Sequence, residues 1–345
     1  MKNVPRNIII SRTDSIGDVV LTLPMTALLK KQFPGCSIAF MGKHYTRPVI
    51  EACRHVDVFI DVEDFLKQPV SIEGAKPECI IHVFPVAAIA RRARQLGIPL
   101  RIGTTSRLYH WFTCNKLLRL SRKNSDLHEA QLNLALLRPF NITGTYSLQQ
   151  LGPLAGIERL QPLPEALRSI LSKDKYNLIL HPKSQGNGRE WPLENYIELV
   201  HLLDLTRYAV FISGTAKERL LLQPLFDAVG DLVCDTTGKM NLSEFISFIH
   251  ACDGMVASST GPIHLAGALG KDAFGIYPPI RPLHPGRWAP IGPKAQVFVA
   301  DAPCGQCKKN SRECHCMEKI SAASIYNALE IQLKSDYENQ RIYHH

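Results

Sequence analysis

Asp253-Gly-Met-Val-Ala-Ser-Ser-Thr-Gly-Pro-Ile-His-Leu-Ala-Gly-Ala-Leu-Gly-Lys-Asp-Ala-Phe-Gly-Ile276 changes its local pattern four times. Met255 to Ala257 reads as a strand, Ser258 to Pro262 as a polar turn, and Ile263 to Leu269 as a short helix. Gly270 stops that helix, and Ala273 to Ile276 is the next strand. Small residues in the turn let backbone approach a ligand, and the following helix aims free N–H groups at it. Ser258, Ser259 and Thr260 add hydroxyls, and His264 lies in the first helical turn. An anion, most often a phosphate, suits such a place. A plainer reading is an ordinary strand-to-helix connection, with Pro262 at the helix start where its missing N–H costs nothing. The turn alone does not choose between them.

The same alternation extends outward. Before the turn, Leu242 to Ala251 reads as helix. Further back, Ala209 to Ser213 is a strand entering Gly214-Thr-Ala-Lys-Glu218, and Asn177-Leu-Ile-Leu-His181 is a strand entering Pro182-Lys-Ser-Gln-Gly-Asn-Gly-Arg-Glu-Trp191. Pro192 then opens a helix over Leu193 to Leu203. In the N-terminal half, Asn7-Ile-Ile-Ile-Ser11 is a short buried strand. It runs through Arg12-Thr-Asp-Ser-Ile-Gly-Asp18 into a helical pattern that ends at Pro34-Gly35, with Pro24 either starting that helix or kinking it. Strands follow at Ser37 to Met41, Val56 to Ile60, Cys79 to Phe84 and Leu100 to Ile102, with helices at Pro48 to Cys53, Ala87 to Leu96 and Leu127 to Phe140. Strand and helix in turn predict parallel sheets covered on both faces.

The chain has 345 residues, 45% hydrophobic and 21% charged, and suits two domains of ordinary size. Between Asn141 and Lys175, glycines and prolines interrupt every periodic run. The expected division is a domain over 1–150, a linker over 151–175 and a second domain over 176–320. A C-terminal helix over 321–334 is expected to pack back on the first domain. No apolar run has the length of a membrane span, and the start does not resemble a signal peptide, so a cytoplasmic protein is expected. The ten cysteines suit reduced thiols better than a disulfide framework.

Net charge is +9. Between Glu78 and Asp126 there is no acidic residue, while Arg91, Arg92, Arg94, Arg101, Arg107, Lys116, Arg119, Arg122 and Lys123 fall in that interval. One face of the N-terminal half should therefore attract a polyanion: nucleic acid, an anionic membrane surface or a phosphorylated substrate.

Three loops of the second half follow strands and are expected to converge. Lys183, Ser184 and Arg189 on a Gly-rich backbone suit a pyrophosphate. Glu218 could accept from ribose hydroxyls, and Ser259, Thr260, Gly261, Pro262 and His264 complete the turn. Neither a Walker P-loop nor Gly-x-Gly-x-x-Gly is present, which disfavours ATP hydrolysis and NAD chemistry. In the first half, Asp14 and Asp18 lie beyond the first strand. Asp18 is either a helix N-cap or a catalytic carboxylate, with Ile16 and Val19 as apolar surroundings. Asp61-Val-Glu-Asp64 reads as solvated acids at a strand end rather than a metal site.

Ser15-Ile-Gly-Asp-Val-Val-Leu-Thr-Leu-Pro24 and Ser259-Thr-Gly-Pro-Ile-His-Leu-Ala-Gly-Ala-Leu-Gly270 together resemble glycosyltransferase family 9, the heptosyltransferases of lipopolysaccharide core assembly. Arg189-Glu-Trp-Pro192 also sits where that family has a basic residue before Trp-Pro. The resemblance covers most of the chain in the right order. It implies a GT-B fold of two Rossmann-like α/β domains facing a central cleft, the first binding acceptor and the second the nucleotide sugar. It further implies an inverting mechanism, a donor such as ADP-heptose, and no obligatory catalytic metal. By position, Asp18 corresponds to the general base, Ser184 and Arg189 to phosphate contacts, Glu218 to the ribose contact, and Thr260, Gly261 and His264 to the donor loop. Many members have Asp where this chain has Ser259, which puts the sugar in doubt.

The function expected is transfer of a sugar, a heptose in the family, to a lipopolysaccharide-core or related glycan. The acceptor would be phosphorylated and lipid-linked, met at the inner face of the inner membrane, with no nucleic acid involved. The alternatives are a GT-B transferase or epimerase using another nucleotide sugar, and a non-catalytic polyanion-binding protein. Asp18 beside a phosphate-lined cleft separates enzyme from binding module. Cys304, Cys307, Cys314 and Cys316 close the inventory. Cys-x-x-Cys is a knuckle spacing, Cys-x-Cys a less usual second half, and either structural zinc or reduced or partly disulfide-linked thiols would fit.

Overall fold

The computed structural model describes residues 5–123, 125–184, 188–302, 307 and 315–342. The chain divides into two compact units, Met1–Leu160 and Gln161–His345. In the first, β1 (Asn7–Ser11), β2 (Ser37–Gly42), β3 (Val58–Asp61), β4 (Cys79–His82), β5 (Leu100–Thr104) and β6 (Lys116–Leu118) form one six-stranded sheet, ordered β3-β2-β1-β4-β5-β6. In the second, β7 (Tyr176–His181), β8 (Tyr208–Ile212), β9 (Cys234–Asp235), β10 (Gly254–Ser258), β11 (Asp272–Tyr277) and β12 (Ala295–Val299) are ordered β12-β11-β10-β7-β8-β9. Every pairing is parallel. Both units thus have the doubly wound order, and in each the connections reverse direction between the first and fourth strands. Such reversals leave a crevice beyond the strand C-termini.

The central strands are apolar throughout because helices cover both faces. Ile8, Ile9 and Ile10 are all fully buried, and Ile8 to Ser11 stand in register with both Ile38 to Met41 and Cys79 to His82. In the second unit Leu178 and Leu180 of β7 pack with Trp191, Tyr196 and Leu199.

Pro24 neither kinks nor breaks a helix. A short helix spans Ile16–Val20, and a new one, Pro24–Gln32, starts on the proline, where its missing N–H leaves no bond unmade. Asp61 caps the helix Val62–Lys67, its carboxylate accepting from the Glu63 N–H at 2.8 Å, so the acidic run there is a helix start. The long helix expected over 127–140 is shorter, Glu129–Leu134. It continues as a 3₁₀ stretch, Ala135–Phe140, that contains Pro139 and ends on left-handed Asn141.

Two expectations about domain anatomy are corrected. Residues 151–160 do not behave as linker: Ser147 and Gln150 form a capping box at the start of the helix Leu148–Leu154, and Leu151 and Ala155 are fully buried. Ile157 bridges Cys53, and the Arg54 N–H donates to Gly156 O at 2.8 Å. The C-terminal helix, Ala322–Ile342, packs in the second unit rather than returning to the first. Ile325, Leu329 and Leu333 recur at four-residue spacing and join the core around Tyr196 and Leu199. Glu330 accepts from Arg207 Nη1 at 2.8 Å and from the Tyr208 hydroxyl at 3.0 Å.

Candidate active site

Each unit places its candidate residues at the C-terminal ends of its central strands. In the first, the Arg12 N–H still follows the sheet, donating to Met41 O at 3.0 Å. Its side chain is buried and binds three carboxylates. Nε donates to Asp14 Oδ1 at 2.7 Å, Nη1 to Glu129 Oε1 at 2.8 Å, and Nη2 to Asp18 Oδ1. The Ser15 hydroxyl donates to the other Asp18 oxygen. Ser15, not Asp18, occupies the N-cap position of Ile16–Val20, and Asp18 sits in the first turn, where a carboxylate meets unpaired helical N–H groups. The immediate partners of the Asp18 carboxylate are therefore Arg12 and Ser15, whereas Val19 is fully buried in the core.

Burial pushes the Asp14 carboxyl up to about 7, with Arg12 pulling it down and Asp18 pushing it further up. One guanidinium thus holds the Asp14 and Asp18 carboxylates side by side. Behind it, Arg122 Nε donates to Glu129 Oε1 and Arg122 Nη2 to Asn133 Oδ1, each at 3.0 Å. Asn133 Nδ2 reaches Leu21 O at 3.2 Å and the Thr22 hydroxyl at 3.1 Å. Arg122, counted in the basic interval, is thus tied into this half-buried network.

In the second unit, β10, β7 and β8 are adjacent, so the three loops expected to converge do leave neighbouring strands. The Trp191 N–H donates to Ser258 Oγ at 2.9 Å, joining the loop after β7 to the end of β10. A Cβ on Gly188 would lie 2.5 Å from Ser259 O, so only glycine permits this approach. The helix after β10 spans Gly261–Ala268, with Thr260 at its N-cap position and Pro262 in its first turn. Gly270 follows at φ +74°, the left-handed stop that the sequence suggested. The Thr260 hydroxyl does not cap the helix; it is buried and has no partner among the described residues. Ser259 is half-buried at the mouth of the turn, and His264 is buried within the helix.

The expected cations are less free than the sequence implied. Lys183 Nζ donates to Glu190 Oε2 at 2.8 Å, and the Ser184 N–H donates to Glu190 Oε1 at 2.9 Å. The Ser184 hydroxyl donates to Gly188 O at 3.0 Å. Arg189 Nη2 donates to Cys307 O at 2.7 Å, while its Nη1 is buried without a partner among the described residues. Glu218 Oε2 accepts from the Thr215 N–H at 2.7 Å, and the Glu218 N–H donates back to Thr215 Oγ1 at 3.2 Å. That capping box aims the carboxylate at the start of its own helix, beside Gly214.

Sequence reasoning missed Arg12, Glu129 and Asn133 in the first unit, and Glu190, His181 and Ser213 in the second. An arginine directly after a buried strand, and an acid opening the apolar pattern of Glu129–Leu134, were signals of a buried ion pair. Thr215-x-x-Glu218 was a readable capping box. His181, at the end of β7, is buried with Nδ1 2.9 Å from the Ser213 hydroxyl. Burial lowers its pKa to about 4, with Glu218 and Glu190 pulling the other way.

Cys304 and Cys314 lie outside the described residues. Cys307 and Cys316 are buried with their Sγ atoms 3.0 Å apart. Among the described residues no cluster of three or more His, Cys, Asp or Glu is arranged to hold a metal, and no helix is long and apolar enough to cross a membrane.

Residues 86–318 match the sequence profile described as "Glycosyltransferase family 9 (heptosyltransferase)". A Haemophilus influenzae protein named "Putative glycosyltransferase" is 25% identical over 315 residues, covering 87% of this chain and 90% of that one. Lipooligosaccharide heptosyltransferase 2 of the same organism is 28% identical over 117 residues, 33% of each chain. Among solved structures, a family 9 glycosyl transferase from Veillonella parvula superposes with a TM-score of 0.76 at 19% identity, covering 96% of this chain and 97% of that one. E. coli ADP-heptose lps heptosyltransferase II gives 0.73 at 18% identity, covering 96% and 99%. The two doubly wound sheets are those of the GT-B fold.

Proposed function

The chain belongs to glycosyltransferase family 9, and we propose that it transfers a heptose, with inversion, from an ADP-linked donor to a phosphorylated, lipid-linked glycan. The observation that supports this reading is that β10, β7 and β8 are neighbours beside the reversal of strand order, so that the loops after them leave adjacent strands, with the N-terminus of Gly261–Ala268 among them. A diphosphate there would be met by helical N–H groups, the Thr260 hydroxyl and Lys183. Glu218 would accept from ribose hydroxyls. Asp18 would take the proton from the acceptor hydroxyl as that oxygen attacks the anomeric carbon. The bond from that carbon to the diphosphate oxygen breaks, and the diphosphate leaves with the electron pair. No metal enters these steps.

One finding supports the role given to Asp18, and another bears on the sugar. Asp18 is held by Arg12 and Ser15 at the crevice end of β1, a rigid mounting for a base. Ser259 stands at the donor turn as a neutral hydroxyl, which favours keeping a second reading open for the sugar: a transferase acting on another nucleotide sugar with the same diphosphate chemistry. Thermal shift with ADP, UDP and GDP, followed by mass spectrometry of transfer from each matching sugar nucleotide, tests both. Stabilisation by ADP and transfer of a heptose are expected. Selective stabilisation by UDP or GDP would move the assignment to the second reading, and no response to any nucleotide would remove both.

A further inference from the structure

We propose that the turn between β5 and β6 is a membrane-contact element that seats Leu108, Trp111 and Phe112 in the interface of an anionic bilayer. Those side chains are 77%, 58% and 68% exposed, the three most exposed large hydrophobics among the described residues of the first unit. They lie on and beside the one-turn helix His110–Thr113. Single exposed apolar residues are ordinary on a soluble surface, but three on one short turn need a partner.

The turn is held rigidly beneath them. Arg101 Nε donates to Thr113 O at 2.7 Å, and the Arg101 N–H donates to Asn115 Oδ1 at 2.8 Å. Arg94 Nη1 donates to Phe112 O at 2.6 Å, and Trp111 Nε1 to Thr105 O at 3.3 Å. His110 turns inward and is buried, with Nδ1 3.1 Å from Thr104 O. The apolar side chains are thus presented by a braced support instead of lying on a loose loop able to fold them away.

Charge identifies the occupant. Arg91, Arg107, Lys116, Arg119 and Lys123 are exposed in the same stretch of chain, and no acidic residue occurs between Glu78 and Asp126. Apolar anchors among cations, with a tryptophan among them, match the headgroup boundary of an anionic membrane. A nucleic-acid surface would more naturally hold its aromatics in a groove lined by the cations. The turn follows the C-terminal end of β5, the same edge of the sheet as Arg12 and Asp18. The proposal rests on the reading of the acceptor as lipid-linked for its purpose, though not for its test.

The test is flotation of the full chain with phosphatidylcholine vesicles, with and without phosphatidylglycerol. Binding only to the anionic vesicles, weakened by salt, is expected. Trp111→Ser combined with Phe112→Ser should reduce affinity at least tenfold, with turnover on delipidated acceptor unchanged and the protein still folded, the loss of the Trp111 Nε1 bond to Thr105 O lowering the melting temperature only slightly. Independently, brominated phosphatidylglycerol should quench wild-type fluorescence, and Trp111→Phe should remove most of that quenching, since Trp191 is buried and Trp288 is half-buried in the second unit. Equal flotation with neutral vesicles, unchanged binding by the double variant, or a nucleic-acid complex lost on the same substitutions would overturn the proposal. Vesicle binding without any nucleotide response would leave this surface standing while the transfer reading fails; nucleotide response without vesicle binding would do the reverse.

Discussion

Arg12 Nη1 donates to Glu129 Oε1 at 2.8 Å, joining the end of the first strand to a helix 117 residues further along the chain. Glu129 is fully buried and also accepts from Arg122. Removing one member of a buried ionic cluster leaves the others desolvated and poorly matched. Glu129→Ala should lower stability by about 3 kcal/mol, read as a shift in the urea midpoint of the full chain. A change no larger than that of an exposed substitution would show that the cluster is not a structural clamp.

Asp18→Asn should reduce turnover by about 10²–10⁴-fold, while donor affinity and melting temperature stay near those of the wild type. If Asp18 served only the helix start, the loss would appear as about 1 kcal/mol of stability in Asp18→Ala, with turnover preserved.

Asp14 provides the comparison that separates the two carboxylates. Because burial raises it to about 7, it exchanges its proton near neutrality. The wild-type rate–pH profile should carry an inflection near 7 that Asp14→Asn removes, leaving substantial turnover. Loss of turnover in Asp14→Asn as deep as in Asp18→Asn would transfer the role of base.

His181 sets an acid limit on stability. Burial lowers its folded pKa to about 4, while the unfolded chain takes up the proton near the ordinary histidine value. Its contribution is therefore present above about pH 6.5 and lost as the pH falls towards about 4, to the extent of about 3 kcal/mol. Buried His82, lowered to about 3, acts with the same sign. Urea unfolding across this range should show the decline, and His181→Asn should flatten it; an unaltered slope would assign acid sensitivity elsewhere.

Lys183 and Glu190 act as a pair in the donor loop. Lys183→Ala should weaken ADP binding by about tenfold or more, the loss of a charge-assisted contact. Glu190→Gln should also weaken it, because Glu190 holds both Lys183 and the Ser184 N–H in place. Tighter ADP binding by Glu190→Gln, measured by calorimetry, would mean that Glu190 competes with phosphate for Lys183.

Metal content of protein purified without chelator addresses the cysteine segment. The 3.0 Å approach of the Cys307 and Cys316 sulfurs leads us to expect a shared structural role. Zinc near one equivalent would assign it to the metal, and zinc near zero would leave thiol or disulfide chemistry.

Much of this molecule was legible one segment at a time. The triple isoleucine of β1, the Ser-Thr-Gly-Pro turn and the Gly270 stop announced their conformations because strand period, N-terminal proline and left-handed glycine are local properties. The short helix His110–Thr113 and the strands β6 and β9 were missed, since so few residues carry no readable period.

The sequence by itself determined the alternation, the doubly wound class and the loops that carry polar side chains, because backbone preference and hydrophobic period act within a few residues. Only the tertiary structure decided who pairs with whom. Lys183 faces Glu190 and Arg189 faces Cys307, while Arg12 gathers Asp14, Asp18 and Glu129, and the C-terminal helix lies on the second unit. A charged side chain reads the same in sequence whether free or paired. Its partner is fixed by which strand ends and helix faces meet, and burial then makes an unmatched charge too costly to leave alone.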